Sequence, residues 1–282
     1  MAAFAANSLL CRLALDHGHI DAASFSLVRV LAGAVTLAVL VAPQFLGNTR
    51  QGSAPSMPVQ LAKSYVSLNS AIALAVYLVF FSFAYVSLGT ATGALILFGA
   101  VQFTMICTAL IAGERFSATA IGGLVIAAAG VIYLLLPGVT APDLWGTALM
   151  VTAGIGWGAY SLIGRGARDP LLSTAVNFLL ATPLVALVSF ATWWLGENSY
   201  QTPTGLGLAL ASGALASGVG YAVWYSALRG LSAGSAAIVQ LSVPVIAAFG
   251  AALFLSEPIT QRILLASIVV LGGITLVLRA RT

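Results

Sequence analysis

Apolar runs of about twenty residues alternate with short polar or turn-forming breaks along almost the whole chain. A helix of that length matches the ~30 Å hydrocarbon core of a bilayer. Ten such spans are expected, with cores near 2–15, 24–43, 66–87, 91–112, 118–136, 144–164, 172–195, 206–227, 234–255 and 261–278. A β-barrel would instead alternate apolar and polar residues over ~10-residue segments, and no such alternation is seen. The longest break, GNTRQGSAPSMPVQLAK (47–63), has the Gly, Pro, Ser and Asn content of an exposed loop. Others, such as VSLGT (86–90), are so short that they force antiparallel neighbours. The first run, Met1 to Leu15, is too short to cross unaided. Its helix is expected to start deep in the bilayer, unless the start is truncated or mis-assigned. No basic segment precedes it, so a cleavable signal peptide is not expected.

Composition turns this pattern into a class. Apolar residues make up 60% of the 282 and charged residues 6%, against about 25% charged in soluble domains. An ordinary cytosolic enzyme is excluded, and the chain reads as an all-α integral membrane protein in contact with a lipid bilayer. The net charge of +4 does not indicate nucleic acid, because the eleven Lys and Arg are scattered singly. They bear on orientation instead. With a cytoplasmic N-terminus, Arg50, Lys63, Arg115, Arg165, Arg168, Arg229, Arg279 and Arg281 fall inside, against Arg12 and Arg262 outside. This predicts an inner-membrane, multi-pass protein with both termini cytoplasmic.

The chain is also written twice. Glu114 and Glu257 each close a long apolar helix, 143 residues apart (257 − 114), and Gly130 and Gly273 share the same offset. The alignment of 84–135 with 227–278 has no gap but only eight identities, few for a chain so rich in Ala and Leu. Its weight comes from matched hydropathy breaks, from Glu at the same junction, and from an even span count. Ten spans in two copies means five each, so the copies insert in opposite senses. The expected fold is ten transmembrane helices as two inverted five-helix repeats, 1–138 and 139–282.

The second copy carries GWGAYSLIGR, then SGVGYAVWYSALRGLSAGSAAIVQLSVPVIAAFGAALFLSEPIT, then a Gly-rich last helix. This resembles the EamA family of the drug/metabolite transporter superfamily, most specifically in the ninth span with its mid-helix Pro244 and terminal Glu257. The first copy matches more loosely. Val101 stands where the family often has the proline that Pro244 provides, and FAANSLLCR replaces its WGSN-like opening. The resemblance implies a ten-helix transporter with a central cavity for small organic metabolites, often amino acids, and frequently export.

Candidate substrate-binding residues follow from polar or aromatic side chains inside spans. The aromatics are Tyr77, Phe81, Tyr85, Trp157, Tyr160, Tyr221, Trp224 and Tyr225, which can line a cavity, stack on a planar substrate or hold an ammonium. They could equally be core or lipid-facing packing. Asn7, Gln102 and Gln240 need partners in hydrocarbon, whether substrate or another helix. Arg29, inside the second span, either faces a water-filled cavity or snorkels toward Asp16 or Asp21. Glu114, Pro244 and Glu257 are read as structural, each carboxylate beside helix N-terminal amides. Gly-rich stretches predict close helix packing, and Trp193 and Trp194 an interfacial anchor.

No His, Cys or carboxylate set fits a metal site, and no cofactor is expected. No GxxxxGK[ST] motif is present, so this chain should not pump by hydrolysing ATP. The leading function is a secondary transporter of small molecules by alternating access, functional as a monomer. The alternatives are a non-transporting membrane scaffold and, with less support, an integral-membrane enzyme.

Overall fold

The computed structural model describes residues 1–49, 67–113, 117–136, 138, 141–164, 167, 169–197, 199–228 and 239–280, without the side chains of 44–49, 225 and 228. Ten helices are described. They are α1 (Ala2–Asp16), α2 (Ala22–Thr49), α3 (Leu68–Ala84), α4 (Thr90–Ile111), α5 (Ala118–Leu135), α6 (Leu144–Gly164) and α7 (Pro170–Trp194). Next comes α8, continuous through Pro203–Ala211, a π-helical Ser212–Val219 and Gly220–Leu228, then α9 (Ser242–Phe254) and α10 (Gln261–Ala280). Seven of these are long and apolar enough to cross a bilayer, whereas α1, α3 and α9 are shorter. The chain is a multi-pass, all-helical membrane protein with no strand among the described residues.

Helix starts follow from local chemistry. Ser67, Ser117, Asp169 and Thr202 each accept a hydrogen bond from an N–H in the first turn, and Pro170 and Pro203 occupy the first helical position behind the last two. Asp143 caps α6 in the same way, accepting from the Gly146 N–H at 2.6 Å and from the Ser87 hydroxyl at 2.9 Å. Those two bonds hold its carboxyl below the usual aspartate value. Pro244 lies in the first turn of α9 as described, two residues past Ser242, with residues 239–240 also helical and 231–238 outside the described residues. Pro183 sits inside α7.

Glycines set the closest approaches. A Cβ on Gly273 would run into the Gly123 carbonyl and the Ala127 backbone, and one on Gly130 into Val270, so α5 and α10 touch backbone to backbone. The core is built where α3 meets α6 and α7, α4 meets α6, and α2 meets α7 and α8. Outside it, Val35, Leu253 and Phe254 are more than half exposed, an apolar surface suited to lipid. Trp145, Trp193 and Trp194 are exposed at the ends of α6 and α7, as expected of interfacial anchors.

Candidate functional site

Eight of the eleven residues picked out as substrate-binding converge. Tyr77 and Phe81 on α3 stack with ring centroids 5.4 Å apart, and Phe81 meets Tyr85, just past the helix end, edge-on at 4.8 Å. Tyr77 also packs on Trp157 of α6 at 5.0 Å, which in turn touches Tyr160 at 5.6 Å and Tyr221 of α8 at 5.1 Å. Phe4 of α1 closes the group, 5.9, 5.7 and 5.9 Å from Trp157, Tyr221 and Trp224. All but the partly buried Trp224 are buried. The result is a nest of rings drawn from four helices.

Asn7, the eighth, forms the polar side of this nest. Its amide accepts from Ser212 at 2.7 Å and donates to Ser217 at 3.4 Å. Both serines lie in the π-helical turns of α8, where SGALASGV has no bulk. Gly213 lets this segment press on the Arg29 carbonyl, since any Cβ there would overlap it, and Gly220 abuts Ala3. An extra residue per turn at this point swings two hydroxyls toward α1 and α2.

Arg29 is fully buried on α2, about 10 Å along the axis from Ala22. Its Nε donates to Ser217 at 3.3 Å and its Nη2 to the Tyr77 hydroxyl at 2.9 Å. The guanidinium carbon lies 4.8 Å from the Phe81 ring centre and 5.3 Å from that of Tyr77. Neither carboxylate suggested by the sequence reaches it. Asp16 pairs with Arg12 at 2.6 Å, and Asp21 accepts from the Ser24 and Tyr200 N–H groups at 2.8 and 3.1 Å. A charge placed so deep costs at least about 2.5–3.5 kcal/mol, offset among the described residues by hydroxyls and ring faces.

The other candidates stand apart. Gln102 and Gln240 are buried on α4 and just ahead of α9, and Gln102 Nε2 lacks a hydrogen-bond partner. The Tyr225 side chain and the whole of Glu114 lie outside the described residues. Glu257 does what a carboxylate beside helix N-terminal amides does, but on a helix distant in sequence. It accepts from the Thr90 N–H at 2.8 Å and the Thr90 hydroxyl at 2.9 Å, capping α4 where the N-cap is Gly89. Arg12 lies 3.6 Å from it and also donates to the Tyr85 and Val86 carbonyls at 3.0 and 3.2 Å. One end of the bundle is thereby tied across α1, α3, α4 and α9.

Sequence reasoning missed Phe4, Phe178, Ser212 and Ser217. Phe4 precedes Asn7 by one helical turn, a spacing that would have placed both on one face. Phe178, 5.7 Å from Tyr221, packs into the approach left by Gly33. The serines were hidden in a run read only as small-residue packing. A separate crevice of about 860 Å³ lies between the ends of α2, α3, α6 and α7, lined among others by Asp21, Asp143, Glu197 and Trp193. No ring of the nest lines it. No group of three or more metal-ligating side chains occurs among the described residues.

Comparison with known proteins gives four matches. The profile of the EamA-like transporter family matches residues 144–279. An uncharacterized protein of Pseudomonas aeruginosa is 48% identical over 281 residues, 100% of this chain and 92% of that one. An uncharacterized transporter of Archaeoglobus fulgidus is 26% identical over 212 residues, 74% of this chain and 75% of that one. Among solved structures, one crystal structure superposes with a TM-score of 0.60 at 18% identity, over 100% of this chain and 98% of the other, a likeness of fold alone.

Proposed function

Because the chain belongs to the EamA-like transporter family, we propose that it is a secondary transporter that moves small organic metabolites, amino acids or related compounds, out across the inner membrane by alternating access. The observation that carries this reading is the nest itself. Phe4, Tyr77 and Phe81 come from the first half of the chain and Trp157, Tyr221 and Trp224 from the second, around buried polar groups. A scaffold has no need of buried polar and aromatic groups gathered from both halves in this way.

Two five-helix repeats, 1–138 and 139–282, inserted in opposite senses, are part of the proposal. The α5–α10 contact supports it. Gly130 meets Val270 and Gly273 meets Ala127, and an offset of 143 (273 − 130; 270 − 127) turns one contact into the other. Contacts exchanged in this way are what a pseudo-twofold axis produces. Likewise α1 packs on α9 as α6 packs on α4.

Gly99 on α4 adds a point about space. It is buried, yet a Cβ built on it would meet nothing within 4 Å. In the proposed cycle the Glu257–Thr90–Arg12 tie is the closed gate on the outer side, and its release opens the chamber there. Purified protein in liposomes should exchange a labelled amino acid across the bilayer. No flux above empty liposomes across a broad metabolite panel would remove the proposal, and flux that survives Gly99→Trp would remove α4 from the pathway.

A further inference from the structure

We infer that Arg29 is an anion site inside the chamber, and that the cargo is a small organic acid whose carboxylate meets this guanidinium while its body lies on the surrounding rings. This rests on the transport reading above and narrows it to a charge class.

The described carboxylates are Asp16, Asp21, Asp143, Asp169, Glu197 and Glu257, and every one sits at a helix end. Arg12 pairs with Asp16 and Glu257. Among the described residues, Arg29 is a buried cation with no carboxylate within ion-pair distance. A static bundle gains nothing by keeping such a charge, because burying an unpaired ion is among the most costly events in a low-dielectric interior.

A guanidinium offers five N–H groups. Ser217 and Tyr77 engage Nε and Nη2, while Nη1 is buried with no hydrogen-bond partner at all. The Nη1–Nη2 edge is one of the two forks on which a carboxylate binds with both oxygens. Here Tyr77 and Ser217 fix the fork's orientation from the other sides.

Arg29 bonds Tyr77, Tyr77 packs at a tilt on Trp157, Trp157 likewise on Tyr221, and Tyr221 lies one helical turn beyond Ser217, which bonds Arg29 again. That closed circuit puts the cation on the wall of the aromatic nest. An anion bound there has flat apolar surface beside it, which suits an organic acid and offers little to chloride or phosphate. A net cation would face Arg29 with no carboxylate among the described residues of the nest to favour it.

The test uses the full-length protein in lipid nanodiscs, followed by thermal unfolding and by the fluorescence of Trp157 and Trp224. The probes are phenylacetate and phenylacetamide, phenylalanine and phenylalaninamide, phenylethylamine, and chloride or phosphate as salt controls, each up to about 10 mM, above the usual affinity range of such sites. At least one acid should bind roughly tenfold or more tightly than its amide, the scale of a hydrogen bond to a charged group. Arg29→Gln should abolish that preference, Arg29→Lys should restore part of it, and Tyr77→Phe, which keeps the charge but frees the fork, should weaken the acid severalfold.

The inference falls if no acid binds, if the amide or the amine binds as well as the acid, or if the inorganic anions reproduce the whole response. It also falls if Arg29→Gln keeps the acid preference. Should Arg29→Gln fail to fold, the wild-type acid–amide comparison and Tyr77→Phe still decide the matter. Acid-selective binding without flux in liposomes would sink the transport reading and leave the anion site standing. Flux confined to amines or neutral compounds would do the reverse.

Discussion

The carboxylate of Glu257 holds Thr90 twice, through its N–H at 2.8 Å and its hydroxyl at 2.9 Å, across 167 residues of sequence. Gly89 makes this possible, because a Cβ there would stand only 3.1 Å from Glu257 Oε2. Ser256, in a left-handed backbone conformation with φ 53, turns the chain out of α9 to deliver the carboxylate. Two adjacent pairs on distant segments, Gly89–Thr90 and Ser256–Glu257, thus close one end of the bundle.

Glu257→Ala should destabilise the protein by about 2 kcal/mol, since hydrogen bonds to a charged group contribute about 1.5–3 kcal/mol and this carboxylate is 21% exposed. Denaturant unfolding in detergent measures it. Under the proposed cycle the same variant should make a cysteine placed at Ser8 react faster with an impermeant thiol reagent added from outside. Unchanged stability would mean the tie is incidental.

The α5–α10 seam gives a paired comparison. Gly273→Leu should cost about 1–3 kcal/mol by overpacking, because the added side chain meets the Gly123 and Ala127 backbone. Gly272→Leu, one residue away, has open space around its Cβ and should stay within about 0.5 kcal/mol of the parent. Equal effects at the two positions would refute the seam.

Asn7 and Ser212 should be energetically coupled. A double-mutant cycle with Asn7→Leu and Ser212→Ala should return about 0.6–1.7 kcal/mol, the range of interhelical hydrogen bonds in membrane proteins, for their 2.7 Å bond. Additive losses would show that the π-helical turns of α8 are not anchored by α1.

Asp143 carries a pH signature. Its carboxyl is held low by the Gly146 N–H and the Ser87 hydroxyl, so the ionised form is favoured more in the folded than in the unfolded chain. That contribution is complete above the ordinary aspartate pKa of about 3.9 and is lost as pH falls through the lower folded value. Amide exchange at the start of α6 should accelerate below about pH 4 in the parent. In Asp143→Asn it should be fast at all pH values.

Much of this was legible in the chain because a bilayer imposes simple rules. Backbone polar groups must be satisfied within each span, so apolar length alone announces helices. Six of the expected spans, those over α2, α4, α5, α6, α7 and α10, are long apolar helices, and the eighth is as well despite its π-helical stretch. The first span is as short as its apolar run, and residues 231–238 of the ninth lie outside the described residues. The third is shorter than its run suggested: α3 ends at Ala84, where Tyr85 and its neighbours turn toward α4. Hydropathy cannot register such ends, since the residues beyond them remain apolar.

Residue types and their spacing alone establish a helical membrane protein, the polar and aromatic side chains inside it, and helices built to pack closely. These are properties of single residues and short windows, and the physics that reads them is local. Only the tertiary structure decided what meets what. It took Arg29 away from Asp16 and Asp21 and gave it Tyr77 and Ser217, from 48 and 188 residues away. It also gave Glu257 to a helix that begins at Thr90. A partner for a buried charge is chosen by distance in space, which packing sets and no local pattern along the chain encodes.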